Sequence, residues 1–432
     1  MDNYAPPTPL LSSVLGFAVT LFFLLVFYLV RKGEERGWLM GLAISSFLLK
    51  AILVPLYFMW LVSIGEEGFA YFDARNLHSE GIHISEGISM GVERDLQRWF
   101  AIDPGPYWLT AYMYILFGPN TLVFRFFLIM CVSLSLLYVY RIARLYFDEP
   151  TARLAAGLQA FVPMPILISL NHRKDPIVQL IVLFTFYHAI RLFRQDAGWL
   201  RSVVPVGLGL VTLYPFRSGM VLPFIGVMLI CFVLANRSLI QGVAVGVVTM
   251  IALVGVQLAG PEDSRISFDA FSERTEDKLA ISADLSEAGG LVRLLRVTGP
   301  TDVYKVPFAA GIYLILPFPP VLSGYEVSAL SSILNLVALF LLPHMLLGAW
   351  SLIRGPNWRL QLPLLVFPLA FLLMLGIVHL GSIRYKQIFY PICLIWAAIG
   401  WRIGTNLFLK LLVYGGLALL SIPVYMSRFR LI

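Results

Sequence analysis

The sequence predicts an all-α polytopic membrane protein with a bundle of about twelve transmembrane helices, and three observations predict it. Of its 432 residues 59% are hydrophobic and 13% charged, with a mean hydropathy of +0.82. A soluble domain carries roughly a quarter of its residues as charges. Apolar runs of roughly 18 residues or more recur from end to end, each about long enough to cross a 30 Å hydrocarbon core as a helix. Within these runs Leu, Val, Ile and Phe stand side by side instead of alternating with polar residues, which excludes a β-barrel.

In chain order the spans fall near residues 8–30, 39–63, 119–140, 152–170, 175–193, 199–216, 219–235, 239–258, 327–352, 361–379, 388–403 and 407–425. The first run has no basic stretch before it and no small-residue cleavage site after it, so it reads as a retained helix and not a removed signal peptide. Arg31, Lys32 and Arg36, then Arg141, Arg144 and Arg153, then Arg191, Arg194 and Arg201, then Arg237, Arg354, Arg359, Arg402 and Lys410 fall on one side. Lys and Arg in short loops mark the cytoplasmic face. Residues 304–322 are apolar but interrupted by Pro307, Pro317, Pro319 and Pro320, which favours a re-entrant or interfacial hairpin over a full span.

The net charge of +7 gives no support to nucleic-acid binding in a chain whose charges are distributed by membrane side. Cys131, Cys231 and Cys393 sit singly in apolar runs, without the spacing of a disulfide framework or a zinc site. They are expected to pack in the core.

Two long polar segments, 64–105 and 259–304, fall on the far side and are the expected places for chemistry. Short far-side loops also break the charge rule: Arg173 and Lys174 in NHRKDP, Arg217 in YPFRSG, and Arg384 with Lys386 in GSIRYKQ. A bound anion explains cations on the disfavoured side, and a lipid-linked phosphate or diphosphate fits the location, since Arg contacts phosphate oxygens bidentately and Lys as a point charge. The plainer explanation is pairing with local carboxylates or lipid headgroups. Asp73 follows Tyr71 and Phe72 soon after a membrane helix ends, where a carboxylate at the water–lipid boundary could take a proton from an acceptor hydroxyl. Glu66, Glu67, Glu80, Glu86, His78 and His83 compete for that role, and no pair has a recognisable metal-site spacing.

An ordered string of these features resembles the GT-C glycosyltransferases, which use polyprenyl-phosphate sugars and include the protein O-mannosyltransferases and the aminoarabinose transferase of lipid A. The far-side loop YFDARNLHSEG is followed by PGPYWLTAYMYILFGPNTLVFRFFLIMCVSLSLLYVYRIARLYFDEPTARLAAGLQAFVPMPILISLNHRKDP. This is similar to the family's Pro-x-Tyr amphipathic helix, Phe-Gly turn, Arg-bearing helix, basic turn, Ala-rich helix and far-side Lys-Asp turn. Coverage is strongest over 70–195, and GSIRYKQIFYPICLIWAAIG adds a weaker Arg-Tyr match. An exopolysaccharide-associated subfamily looks similar in its Lys-Asp turn and Pro-Phe-Pro segment. Where the family often has a Tyr after the loop Asp, this chain has Leu77 and His78, and its helix 8–30 is an addition to the simplest members.

The resemblance implies Asp73 as the catalytic residue, with Arg173, Lys174, Arg217, Arg384 and Lys386 binding the donor phosphate. His78, Glu80, Tyr107, Asp175 and Tyr385 are acceptor or loop candidates. It divides the chain into N-terminal helices (1–63), an extracytoplasmic catalytic loop with juxtamembrane helices (64–118), a transmembrane core (119–258), a second loop with the re-entrant segment (259–326) and C-terminal helices (327–432). The implied donor is a polyprenyl-phosphate-linked sugar, and the acceptor a glycan, lipid or protein at the periplasmic face of a bacterial inner membrane. The implied role is cell-envelope glycan or exopolysaccharide synthesis. Participation of a divalent metal ion is left open. The alternatives are a polymerase or ligase using diphosphate-linked repeat units, and a lipid-linked sugar transporter or flippase. The last is disfavoured because acidic residues are nearly absent from helix interiors, where His188, His344 and His379 are the main polar intruders.

Overall fold

The computed structural model describes residues 8–31, 33–70, 72–90, 103–196, 198–235, 304–315, 326–378, 386–404 and 409–417, with the single residue 247. The described residues fold as helices and connecting turns, without a strand among them. Contacts divide the chain into two units: Met1–Gly226 with Arg237–Arg265, and Val227–Asn236 with Ile266–Ile432.

The first unit is built around one helix, α5 (Thr121–Arg144), buried along nearly its whole length. Around it stand α1 (Leu10–Leu29) and α2 (Arg36–Ser63). Asn120 fixes where α5 begins, because its side-chain oxygen accepts from the Leu122 N–H at 3.0 Å. Its amide donates to the Ser12 and Ser13 hydroxyls, each at 2.8 Å, so α1 and α5 start at the same end of the bundle. At that end two further helices, α3 (Phe72–Ser89) and α4 (Gly105–Phe117), pair across the bundle.

Residues 152–170, expected as one span, form α6 (Glu149–Phe161) and α7 (Pro163–Ser169), bent by 49°. The reason is local: Pro163 has no N–H to continue the ladder, and Val162 before it is extended at φ −63°, ψ 127°. The Ala160 carbonyl at the break accepts from Lys50 Nζ at 3.1 Å and from the Ser46 hydroxyl at 3.3 Å. A fully buried lysine of α2, with Ser46, thereby satisfies a backbone carbonyl at the break.

After α8 (Asp175–Arg194) and α9 (Trp199–Arg217) the chain turns through a 3₁₀ segment, Ser218–Met220, into α10 (Val221–Leu234). Arg217 breaks the helix with φ −162° and ψ 75°. Phe224 then meets Phe186, in the middle of α8, at 6.4 Å between ring centroids, so α10 runs back into the bundle as the two expected spans require.

In the second unit, α11 (Val306–Ile315) packs on α13 (Trp358–Val378), and α12 (Glu326–Arg354) on α14 (Lys386–Ile403). The α12–α14 crossing is close because glycines face backbone: a Cβ on Gly348 would fall on the Trp396 carbonyl, and one on Gly400 on that of His344. The Trp396 indole donates to the Leu364 carbonyl at 3.0 Å and joins α14 to α13.

Among the described residues six helical stretches are long and apolar enough to cross a membrane, or seven with the bent pair; one of the six, Leu200–Leu234, contains the turn at Ser218–Met220. The expected helix at 239–258, the loop 259–303, the proline-rich 316–322 and the end of the last helix beyond 417 lie outside the described residues. The three cysteines are buried and free.

Candidate functional site at the Asp73 end

Three ion pairs gather the far-side charges of the first unit. Asp73, in the first turn of α3, lies 3.3 Å through Oδ2 from Nη2 of Arg173, in the turn between α7 and α8. The carboxylate side chain is 53% exposed and the arginine 8%. Lys174 Nζ donates to Asp103 Oδ2 at 2.6 Å, and Arg217 Nη1 lies 3.0 Å from Asp175 Oδ1. These cations, which the sequence left between an anionic ligand and local carboxylates, thus each meet a carboxylate of the chain. Three acids and three bases sum to zero net charge.

Asp103 organises the second pair. Its backbone sits in the left-handed region at φ 48°. Its Oδ1 accepts from the N–H and hydroxyl of Ser218 at 2.9 and 3.1 Å, which anchors the α9–α10 turn. Burial alone would raise its pKa, but the Lys174 ammonium and its hydrogen bond, the Ser218 N–H and Arg217 together hold it below the ordinary carboxylate range. Tyr107, half-buried at the start of α4, has its phenol pKa raised by burial and then by the charges of Glu80 and Asp103, so Glu80 and Tyr107 face the same space.

Beneath the pairs lies a polar and aromatic layer. His78 is buried, and its Nδ1 is 2.5 Å from the Tyr114 hydroxyl. Burial first, and then the Arg125 cation, press its pKa down to about 4, so the ring is neutral. Its ring is 5.2 Å from Phe69 and 5.9 Å from the fully buried His172, which in turn lies 4.4 Å from Phe124. Burial, with His78 and Arg125, also drives the His172 pKa well below its ordinary value. Arg125, fully buried on α5, donates to the Gly68 carbonyl and lies over the rings of Phe58 and Phe69 at 5.3 and 5.9 Å. Gly68 adopts φ +82°, and a Cβ there would enter the Phe58 ring. Leu77, Met113, Val123, Phe124 and Ile177 form the apolar floor.

The structure therefore brings Asp73, Glu80, Tyr107, Arg173, Lys174, Asp175 and Arg217 to one end of the first unit and turns His78 inward. Lys386 is buried at the start of α14 in the second unit, while Arg384 and Tyr385 lie outside the described residues. Sequence reasoning passed over Asp103, whose signal was its place before the Pro-Gly-Pro that opens α4, and Lys50, a lone cation inside an apolar run. No group of three or more His, Cys, Asp or Glu side chains is placed to hold a metal ion among the described residues.

An acid and paired cations thus stand beside α3 and α4 at one end of a helical bundle. Residues 103–258 match the family model of dolichyl-phosphate-mannose-protein mannosyltransferase. That match covers just over a third of the chain, and the fold of the chain is similar to that of two solved structures. No curated protein matches it in sequence. It is similar to the Archaeoglobus fulgidus oligosaccharyltransferase in its apo form, with a TM-score of 0.51 and 15% identity over 87% of this chain and 52% of that one. It is also similar to ArnT from Cupriavidus metallidurans bound to undecaprenyl phosphate, with a TM-score of 0.52 and 14% identity over 91% of this chain and 64% of that one. The chain thus spans about half of the first structure and just under two thirds of the second.

Proposed function

We propose that the chain transfers a sugar from a polyprenyl-phosphate donor to an acceptor hydroxyl at the extracytoplasmic face of a bacterial inner membrane, in envelope glycan or exopolysaccharide synthesis. The observation that carries this reading is the half-exposed Asp73 carboxylate held by Arg173 at the rim of a GT-C bundle. The donor class is supported by the dolichyl-phosphate mannose for which the matching family is named and by the undecaprenyl phosphate bound to the similar ArnT structure.

In this reaction the acceptor oxygen attacks the anomeric carbon, its proton passes to Asp73, and the bond from that carbon to the phosphate oxygen breaks. The electron pair leaves with the polyprenyl phosphate and the anomeric centre inverts. Arg173, with Lys174 and Arg217 behind it, stabilises charge on the departing phosphate, commonly the largest contribution in group transfer. Because Arg173 already holds Asp73, a phosphate that draws on the same guanidinium loosens the carboxylate for proton uptake.

The test uses membranes carrying the full chain and endogenous acceptors, supplied with labelled undecaprenyl-phosphate hexoses and pentoses. Asp73→Asn is expected to lower transfer by roughly 10²–10⁴-fold with an unchanged unfolding midpoint. Transfer at the unmutated rate by both Asp73→Asn and Arg173→Ala would remove the site.

A further inference from the structure

The end of the first unit opposite Asp73 carries an open cavity of about 440 Å³, lined in part by Glu34, Glu35, Tyr140, Arg141, Arg144 and Tyr187. That size lies within the roughly 300–1,000 Å³ of small-ligand sites. Its charges are only partly neutralised in place. Arg153 on its wall is engaged by Glu149 and lies over Trp38 at 5.3 Å. Arg144 donates to the Phe147 carbonyl at 3.0 Å. Arg141 and Arg191 flank the same Tyr187 ring, at 5.9 and 5.7 Å.

Among the described residues neither Arg141 nor Arg144 has a carboxylate within ion-pair distance, and neither Glu34 nor Glu35 has a cation. Burial and the nearby Arg141 guanidinium pull the Arg31 pKa below its ordinary value. Placement of arginines for topology alone accounts for the cations but not for two carboxylates that line the same cavity without pairing with them.

We propose that this cavity binds a zwitterion carrying a phosphate and a primary ammonium, as in a phosphoethanolamine group. The phosphate lies against Arg141 and Arg144, where guanidinium forks give bidentate contacts. The ammonium donates its N–H groups to Glu34 and Glu35. Such a ligand satisfies both walls at once, whereas an anion alone leaves the carboxylates opposed to it. The same chemistry comes either from a lipid headgroup of the adjoining leaflet or from a soluble molecule, and it is independent of whether the Asp73 end transfers sugar.

The experiment is native mass spectrometry of the delipidated full chain in detergent, offered equimolar phosphatidylethanolamine, phosphatidylglycerol and phosphatidylcholine. Unfolding midpoints with and without millimolar O-phosphoethanolamine form the second arm. Expected is at least threefold preferential retention of the ethanolamine lipid if the source is lipid, or a concentration-dependent rise in midpoint if it is soluble. Glu35→Gln should abolish the preference over phosphatidylglycerol while leaving retention of the glycerol lipid intact, and Arg141→Gln should weaken all phosphate binding. Equal retention of the three lipids with no shift by O-phosphoethanolamine overturns the proposal. A preference or shift unchanged in Glu35→Gln overturns it equally.

Discussion

Arg217 and Asp175 meet at 3.0 Å with side chains 14% and 3% exposed, the most withdrawn of the three ion pairs at the Asp73 end. Taking away one member of such a pair strands the other in an environment that cannot hydrate it. Arg217→Met is therefore expected to lower stability by about 3 kcal/mol. Adding Asp175→Asn should restore most of that loss, because the stranded charge is gone. Chemical unfolding in detergent micelles reads both variants. Equal destabilisation by the single and double variants would show that the cost lies in packing and not in charge.

Arg173 stands in a different position, with its carboxylate partner half in water. Its role in the proposed reaction predicts that Arg173→Lys raises the KM for a polyprenyl-phosphate donor and lowers kcat, since a point charge replaces a fork that reaches phosphate and Asp73 together. A fall of roughly tenfold or more in kcat/KM is expected, with the unfolding midpoint within a degree or two of the unmutated chain. Steady-state kinetics at several donor concentrations separates the two parameters.

The buried His78 links acidity to stability. Its folded pKa of about 4 lies below the 6.5 of an exposed histidine, so the unfolded chain takes up a proton that the folded chain refuses. The stabilisation from neutral His78 is thus complete above pH 6.5 and is lost as pH falls toward 4. At full extent this amounts to about 3 kcal/mol. His172, also pushed low, contributes in the same direction. His78→Phe should flatten part of the decline in unfolding free energy between pH 6.5 and 4.5, and parallel pH profiles for the two chains would refute this.

The crossing of α12 and α14 has no room for a methyl group at two points. Gly348→Ala and Gly400→Ala must each separate the helices, because the obstacle is backbone carbonyl in both cases. A loss of about 2 kcal/mol is expected at each. Gly37→Ala and Gly157→Ala, whose surroundings are open to 4 Å, serve as controls and should leave thermal unfolding nearly unchanged.

Much of the bundle could be read from apolar run length alone, because the bilayer's thickness imposes it. Arg173, Lys174 and Arg217 stood out because they violate the distribution of charge across the membrane. Which carboxylate each of them meets did not stand out. Asp73 meets Arg173 across 100 residues, and Asp103 meets Lys174 across 71. Nothing in local pattern connects positions that far apart; only the packing of α3 and α4 over the bundle end brings them together. The bend at Val162–Pro163 was visible as a proline, yet hydropathy treats a broken and a straight helix alike. His78 was read as a loop residue, since the helical face that buries it against Tyr114 exists only once α3 and α4 are paired.

The Lys50 clamp acts as the fulcrum of a lever. Beyond the break, α7 is seven residues, about 10 Å of arm, and its tip carries the turn that bears Arg173. A 10° change at the hinge would swing that tip by roughly 2 Å, enough to part an arginine from a carboxylate whose hydrogen bond tolerates only a few tenths of an ångström. The angle of a kink in mid-membrane, set where a lysine of α2 grips the Ala160 carbonyl, thus aims a guanidinium at the water's edge.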